Sequence, residues 1–474
     1  MIERVSLHRA GTVTALAAAM LLGGCMSFIP AYERPAAPVA PAYAAELVPA
    51  GGSDATAAAE VEWQRYFADA RLKRLIEIAL QNNRDLRVAV LGIEQARAAY
   101  QVRRADELPS IGAGLTAQRQ ASGGKLVNSY AVGLAVTGYE LDFFGRVRAL
   151  SQSALSSYMA TEEARKTAQI ALVAAVANTH LSLLADDELL RVTRDALATR
   201  EDSFKLTKLK FDNGASSELD LRQSEQLLEG ARATLAQTQR QRSLDENALV
   251  LLLGQPLPSD LPAVTALAAQ PALRELPAGL PSDLLTRRPD VRAAEQQLLA
   301  ANANIGAARA AFFPRISLTA NAGTASTELS GLFKSGTFAL TGVAQLLQPI
   351  FDSGRNQANL DSAKIGRDIA VAQYEKAIQT AFREVSDSLA GRATLGEQLR
   401  AQTALTNAAQ VSYQLADLRY RNGASSYLDV LDAQRNLFAA QQATVQVQAL
   451  QAQNLVTLYK VLGGGWSEPL RAAN

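Results

Sequence analysis

The sequence of 474 residues holds one cysteine, Cys25, and two histidines, His8 and His180. A single thiol excludes a disulfide within the chain, and so few soft ligands exclude a His/Cys metal cluster. Aromatic residues reach only 6% while apolar residues reach 48%, so the apolar content leans on Ala, Leu and Val. Ala is the best helix former, and this balance favours long helices over a bulky globular core. Neither charge is in excess, with 47 Lys+Arg against 46 Asp+Glu, which argues against a nucleic-acid binder. No nucleophile–base pair, phosphate loop or metal spacing occurs, and no enzymatic activity is expected. His8 falls in the leader described below, and His180, inside the apolar run VAAVANTHLSLL, reads as a packed or lumen-facing residue. Proline is missing from 110–255 and again from 350–468. From about Arg146 to Leu209 this leaves some 64 residues of helical composition, about 95 Å at 1.5 Å per residue, a length no compact core has.

What is present begins with a leader. Arg4 and Arg9 precede an apolar run from about Val13 to Leu22. That run is too short for the roughly 20 residues a bilayer-spanning helix needs, so 1–24 reads as a secretory signal. It ends in LLGGC, which resembles a bacterial lipobox, and the lone Cys25 stands where acylation would occur. The expectation is a lipoprotein carrying covalent diacylglycerol and acyl lipid at Cys25, with no other cofactor and no metal. A Pro/Ala-rich tether occupies 25–60.

The rest is a tandem duplication. Phe211–Leu221 (FDNGASSELDL) and Tyr420–Val430 (YRNGASSYLDV) are identical at seven of eleven positions, 209 residues apart. Gly145-Arg146 and Gly354-Arg355 share that offset, whereas Asp85-Leu86-Arg87 and Asp290-Val291-Arg292 are offset by 205. An insertion therefore lies between Pro314 and Gly354. The first repeat covers 61–255, a proline-rich linker 256–289, the second repeat 290–465, and a tail 466–474. Each repeat reads as short helix, paired segment, long helix, polar turn and returning helix.

The paired segments alternate with period two, at about 109–119, 130–140, 314–323 and 337–347, and predict strands. Their length suits membrane strands, with one apolar face and one small or polar face. Four strands cannot close a barrel, and open edges are costly in lipid, so three chains supplying twelve strands would be needed. Soluble hairpins packed on a core are the competing reading. In the returning helix, Leu428, Leu431, Phe438, Val445, Ala449, Ala452, Val456 and Tyr459 form a coiled-coil seam interrupted by Arg435 and Gln442. At the polar turns, Asn213-Gly214 and Asn422-Gly423 are helix stops. Ser217 and Ser426 are N-caps, with Asp220 and Asp429 three residues on.

These features together resemble the TolC/OprM-type outer membrane factors, in the lipoprotein branch described as NodT-like. The resemblance runs from the lipobox to Gly463. Its most distinctive stretch is LPAGLPSDLLTRRPDVRAAEQQLLAANANIGAARAAFFPRISLT, and the tip pattern recurs as Phe211/Gly214/Ser217/Leu219/Asp220 and Tyr420/Gly423/Ser426/Leu428/Asp429. It implies an α+β membrane protein: a homotrimer whose twelve-strand outer-membrane β-barrel, four strands per chain, continues into a long periplasmic α-helical barrel. It implies the exit duct of a tripartite RND-type pump, working with a periplasmic adaptor and an inner-membrane transporter and surrounded by outer-membrane lipid. Residues matching the family's periplasmic gate are Tyr420, Asp429, Asp432, Arg435 and Asp220. The tips around Gly214, Ser217, Leu219, Gly423, Ser426 and Leu428 match the adaptor-docking points. Where the TolC branch has an arginine two residues after the tip glycine, this chain has Ser425, so its latch differs. A periplasm-spanning structural lipoprotein without a pore and the duct of a type I protein secretion system are the alternatives.

Overall fold

The computed structural model describes residues 27–44, 58–122, 124–269 and 284–466. Cys25, and with it the expected lipid attachment, lies outside the described residues, as do 270–283 of the proline-rich linker. Among the described residues the longer elements are α1 (Ala70–Asn82), α2 (Arg84–Ala105), β1 (Ile111–Ser122), β2 (Lys125–Glu140), α3 (Arg146–Asp212), α4 (Glu218–Leu253), α5 (Pro289–Ala310), β3 (Arg315–Ser326), β4 (Phe338–Leu347), α6 (Arg355–Arg421) and α7 (Tyr427–Val461).

The repeat governs the helices closely. α2 and α5 each have 22 residues, and α3 and α6 each have 67, about 100 Å of helix apiece. Both long helices start directly after a left-handed glycine, Gly145 (φ 71°) and Gly354 (φ 84°). A further pair escapes the sequence comparison because its flanks diverge. Gly254 (φ 68°) follows α4, and Gly463 (φ 84°) lies just beyond α7, again 209 residues apart. The chain divides into two compact units, and each draws on both repeats: Met1–Ala36, Leu91–Glu162 and Ala293–Lys376 in one, Ala37–Val90, Glu163–Arg292 and Ala377–Asn474 in the other. Both repeats, 61–255 and 290–465, therefore contribute to each compact unit. The reason is that β2 pairs with β3 and that side chains of the two repeats interlock.

In the first unit the strands form one antiparallel meander, β1-β2-β3-β4. The first hairpin is tighter than its alternation predicts. Ser122 pairs with Lys125, so β2 begins five residues before the expected 130. The second hairpin carries the insertion as an eleven-residue loop, 327–337, with a 3₁₀ turn at Leu329–Gly331. Register then sorts the side chains. Ile111↔Val136, Ala113↔Leu134 and Leu115↔Val132 share a face, continued by Val132↔Thr324, Leu134↔Ala322 and Val136↔Ala320, then by Ala322↔Leu340 and Ile316↔Leu346. The opposite face carries Gly112, Gly114, Thr116 and Gln118 on β1, and Ser317, Thr319, Asn321 and Gly323 on β3. Val127, Val343 and Leu347 are its apolar exceptions. On the apolar face Tyr130 and Phe338 lie toward the hairpin loops and Tyr139 toward the opposite end, the positions of aromatic girdles. Arg119 shares that face three residues from the turn, within snorkelling reach of an interface. A bulge between Val136 and Tyr139 adds one residue to β2. Gly138 takes φ 64° there, as a bulge permits, and its N–H donates to Thr319 Oγ1 at 3.2 Å.

The sheet is fixed at its base by charge. Glu140, ending β2, accepts from Arg146 at the start of α3 (2.6 Å) and from Arg315 at the start of β3 (2.7 Å). Residues 27–44 of the Pro/Ala segment form no helix or strand, and their contacts fasten them down. Phe28 stacks on Phe313 at 4.6 Å, and Asn302 Nδ2 donates to the Pro30 carbonyl (2.8 Å). Arg34 grips Glu295 with two bonds of 2.7 and 2.9 Å, and Tyr32 Oη donates to the same carboxylate. Gly306 is required in this seam, because a Cβ there would strike Ile29. Tether composition carries no signal for such ring and ion contacts.

In the second unit the core gathers where the helices meet. Tyr66 and Tyr459 stack at 4.0 Å with Phe67 edge-on, and Tyr66 Oη donates to the Leu455 carbonyl (2.8 Å). Buried Arg288 bridges Asp290, Glu384 and the Val461 carbonyl. His180 is packed: its Nε2 lies 3.5 Å from Asp69 Oδ2 with both side chains buried. Asp69 also caps α1, accepting from the Arg71 and Leu72 amides. α3 is long and apolar enough to cross a membrane, but most of its apolar window is buried within the chain, as expected of a core helix.

Asp186 of α3 is 6% exposed and shares its site with Asp245 of α4. Burial first, and the Asp245 carboxyl second, push its pKa up to about 7. A carboxyl raised in the folded state binds its proton more tightly there than when unfolded. Its cost is therefore absent below the unfolded value near 4 and complete above about 7. Asp186→Asn should thus stabilise the protein by several degrees at pH 8, with the gain shrinking toward zero by pH 4, as read by thermal melts across that range.

Candidate gate and docking tips

The two helix hairpins end in matched tips built by local hydrogen bonding. α3 stops at Gly214 (φ 71°) and α6 at Gly423 (φ 70°). Ala215 N–H returns to the Lys210 carbonyl and Ala424 N–H to the Arg419 carbonyl, each at 2.8 Å, the six-to-one bond of a glycine-terminated helix. Asn213 and Asn422 donate side-chain amides to the Leu209 and Leu418 carbonyls, each at 2.7 Å. α4 and α7 then start with complete capping boxes, Ser217 with Asp220 and Ser426 with Asp429. Gly214, Ser217, Gly423 and Ser426 are exposed, as are Leu219 (66%) and Leu428 (47%). Two exposed leucines at the mouths of two polar turns are not needed by the fold, and the burial of Leu431, Val445, Val456 and Tyr459 shows that the α7 seam proper begins one turn after Leu428.

The two tips differ in how they use their acids. Asp220 accepts from Ser217 N–H, Ser217 Oγ (2.8 Å) and Ser216 Oγ (3.1 Å). Burial alone would raise its pKa, and these hydrogen bonds outweigh burial and hold it below the usual carboxylate range. Asp429 accepts the Ser426 N–H at 3.1 Å, while Ser425 Oγ, the counterpart of Ser216, has no partner. Three hydrogen bonds thus converge on Asp220 Oδ2, whereas among the described residues Asp429 has no serine hydroxyl donating to it in the same way. Asp432 lies one turn on, on the same helix face, half exposed and paired with Arg435 at 3.2 Å. An exposed i,i+3 pair contributes at most about 1 kcal/mol to stability, so folding does not explain these charges.

Tyr420 is held from the other repeat. Lys210 Nζ donates to its hydroxyl at 2.8 Å and lies 4.4 Å from the ring centroid, and Tyr427 packs against it at 5.2 Å. Burial pushes the Tyr427 hydroxyl above its ordinary range. Gln434 Nε2 adds a 3.2 Å bond to Ser203 Oγ. Sequence comparison misses Lys210, Tyr427 and Gln434 because their counterparts in the other repeat, Arg419, Glu218 and Glu225, do not match them. The equivalent of Tyr420 is Phe211, which has no hydroxyl, so a tie of this kind can run only from the second tip to the first.

Comparison with known proteins agrees with this architecture. The outer membrane efflux protein family pattern matches residues 75–255 and 280–464, one segment per repeat. The toluene efflux pump outer membrane protein TtgC of Pseudomonas putida is 48% identical over 470 residues, covering 96% of each chain. Outer membrane protein OprJ of Pseudomonas aeruginosa is 45% identical over 469 residues, again 96% of each chain. Among solved structures, the open state of the Neisseria gonorrhoeae MtrE outer membrane channel superposes with a TM-score of 0.85 at 41% identity, covering 93% of this chain and 98% of that one. A duplicated chain with a four-stranded sheet, two 67-residue helices and paired tips, matched over nearly its full length by such channels, belongs to the outer membrane efflux protein family.

Proposed function

We propose that three copies of this outer-membrane efflux channel close a twelve-stranded barrel and form the passive exit duct of a tripartite RND-type pump. The observation that carries this is the sheet. Among the described residues its outer strands β1 and β4 each leave an edge unpaired, its apolar face runs across all four strands, and Ile111, Leu115, Leu134, Phe338, Leu340 and Leu346 are all more than half exposed. Unpaired edges are not tolerated in hydrocarbon, and so large an apolar surface calls for a cover. Lipid outside and two neighbouring copies at the edges satisfy both. The strands have 12, 16, 12 and 10 residues; twelve residues span about 40 Å and, tilted by about 45°, match a hydrocarbon core of about 30 Å. The inward face, rich in Gly, Ser, Thr, Asn and Gln, suits water and small solutes.

The names of the relatives support export of small molecules such as drugs and solvents, handed over by an inner-membrane transporter through a periplasmic adaptor. Asp429 and Asp432 from three chains would place six carboxylates around one constriction, with Tyr420, Arg435 and Asp220 as its supports. Crowded like charges recruit cations or raise pKa values, and they resist passage until the helices part. Acylation of Cys25 would add a second membrane attachment beside the barrel. Purified protein reconstituted into a planar bilayer should show discrete single-channel steps. A scaffold without a pore would leave the bilayer silent.

The tips are the proposed adaptor contacts. A Cβ at Gly214 or Gly423 meets no atom within 4 Å, so a side chain there costs only the left-handed backbone, roughly 1–2 kcal/mol. Gly423→Trp should leave trimers intact on native gels and abolish drug export in cells. Normal export would count against docking at this tip.

A further inference from the structure

Beside the seam between α3 and α7 lies a cationic group for which the fold supplies no counter-charge. Arg200 of α3 is 7% exposed. Among the described residues no carboxylate lies within 4 Å of it. Its contacts are one hydrogen bond from Nη1 to the Leu227 carbonyl (3.1 Å) and the Phe438 ring, whose centroid lies 4.8 Å away. The guanidinium has five N–H donors, and Arg200 lines a cavity of about 190 Å³ together with Thr199, Gln410, Tyr413, Gln434 and Gln441. Gln434 is 6% exposed, and its Oε1 is buried without a partner. Asp195 also lines the cavity, but its carboxylate is engaged with Arg191 at 3.0 Å. A second cation, Arg435, is near enough to add to burial in lowering the pKa of Arg200.

A buried cation left unpaired is strongly unfavourable, and an aromatic face and one carbonyl offset that only in part. What the site lacks is a compact negative charge with a donor beside it. We propose that this cavity binds a small monovalent anion, a halide or the carboxylate of a compact organic acid, against the Arg200 guanidinium. A halide would complete the charge. A carboxylate with an adjacent hydroxyl would also satisfy Gln434 Oε1. The cavity walls come from α3, α6 and α7, so an occupied site cross-links the two repeats. The proposal rests on this geometry and not on the pore or gate reading.

The test uses the full chain purified as its native assembly in detergent. Crystals soaked in sodium bromide should show an anomalous peak in hydrogen-bonding contact with Arg200. In solution at constant ionic strength, bromide, and acetate in a parallel series, should raise Tm in a saturable manner. Arg200→Met should lose both the peak and the saturable rise. Preference for bromide or acetate identifies the natural class as halide or carboxylate. A map with bromide elsewhere and none at Arg200, a neighbouring protomer's carboxylate seated there, or equal anion dependence in wild type and Arg200→Met would each overturn the proposal. The wild-type map decides the matter even if the variant fails to fold.

Discussion

Asp432→Ala should raise single-channel conductance several-fold and sensitise cells to large drugs that the intact channel excludes. Among the described residues Asp432 is paired only with Arg435, at 3.2 Å on the same helix and half exposed, so its removal costs little stability. In the proposed threefold assembly the loss would remove three carboxylates from the proposed constriction. Asp429→Ala in addition should enlarge the effect, but it also removes the acid of the second capping box, at a cost of about 1 kcal/mol. Asp220→Ala is the contrasting case. Its Oδ2 takes three hydrogen bonds from Ser216 and Ser217, so the change should lower stability while leaving conductance near that of the wild type. Unchanged conductance in Asp432→Ala trimers would refute the gate assignment and leave the duct itself standing.

Gly323→Ala should prevent a folded barrel from forming. Gly133 and Gly323 face each other across the β2–β3 pairing, the single seam joining the strands of the two repeats. A Cβ on Gly133 would lie 2.6 Å from Gly323 Cα, and one on Gly323 would run into the Val132 carbonyl oxygen. The obstacle is backbone on both sides, so no rotamer relieves it, and a shift of the ladder is expected to cost about 3 kcal/mol or more. Gly342→Ala, on β4, meets nothing within 4 Å and should assemble normally. Recovery of assembled protein from outer membranes distinguishes the pair. Normal assembly of Gly323→Ala would show that the close approach is not needed.

Much of the fold is legible in the residues. The proline-free stretches, the NGASS tips and the period-two alternation locate the long helices, both capping boxes and all four strands. Two features are not legible for physical reasons. The pairing of Ser122 with Lys125 extends β2 through Lys125–Ser129, where Lys and Asn blur the alternation. The compact units cross the repeats because contacts such as Lys210–Tyr420 join residues that sequence comparison aligns with unlike partners. The acids assigned to the gate are visible as a pattern, and hydrogen bonding is what separates them: Asp220 takes three hydrogen bonds from its cap, whereas Asp429 accepts the Ser426 N–H and Asp432 pairs with Arg435. Arg200 and Gln434 leave no trace in a single sequence, because each matters through what is missing around it.

Whether β1 of one copy pairs with β4 of the next is answered most directly by a density map of the full-length protein in detergent or nanodiscs. A threefold particle with twelve continuous strands, every β1 hydrogen-bonded to a neighbour's β4, is the expected result. A water-soluble single copy with both sheet edges free would contradict it.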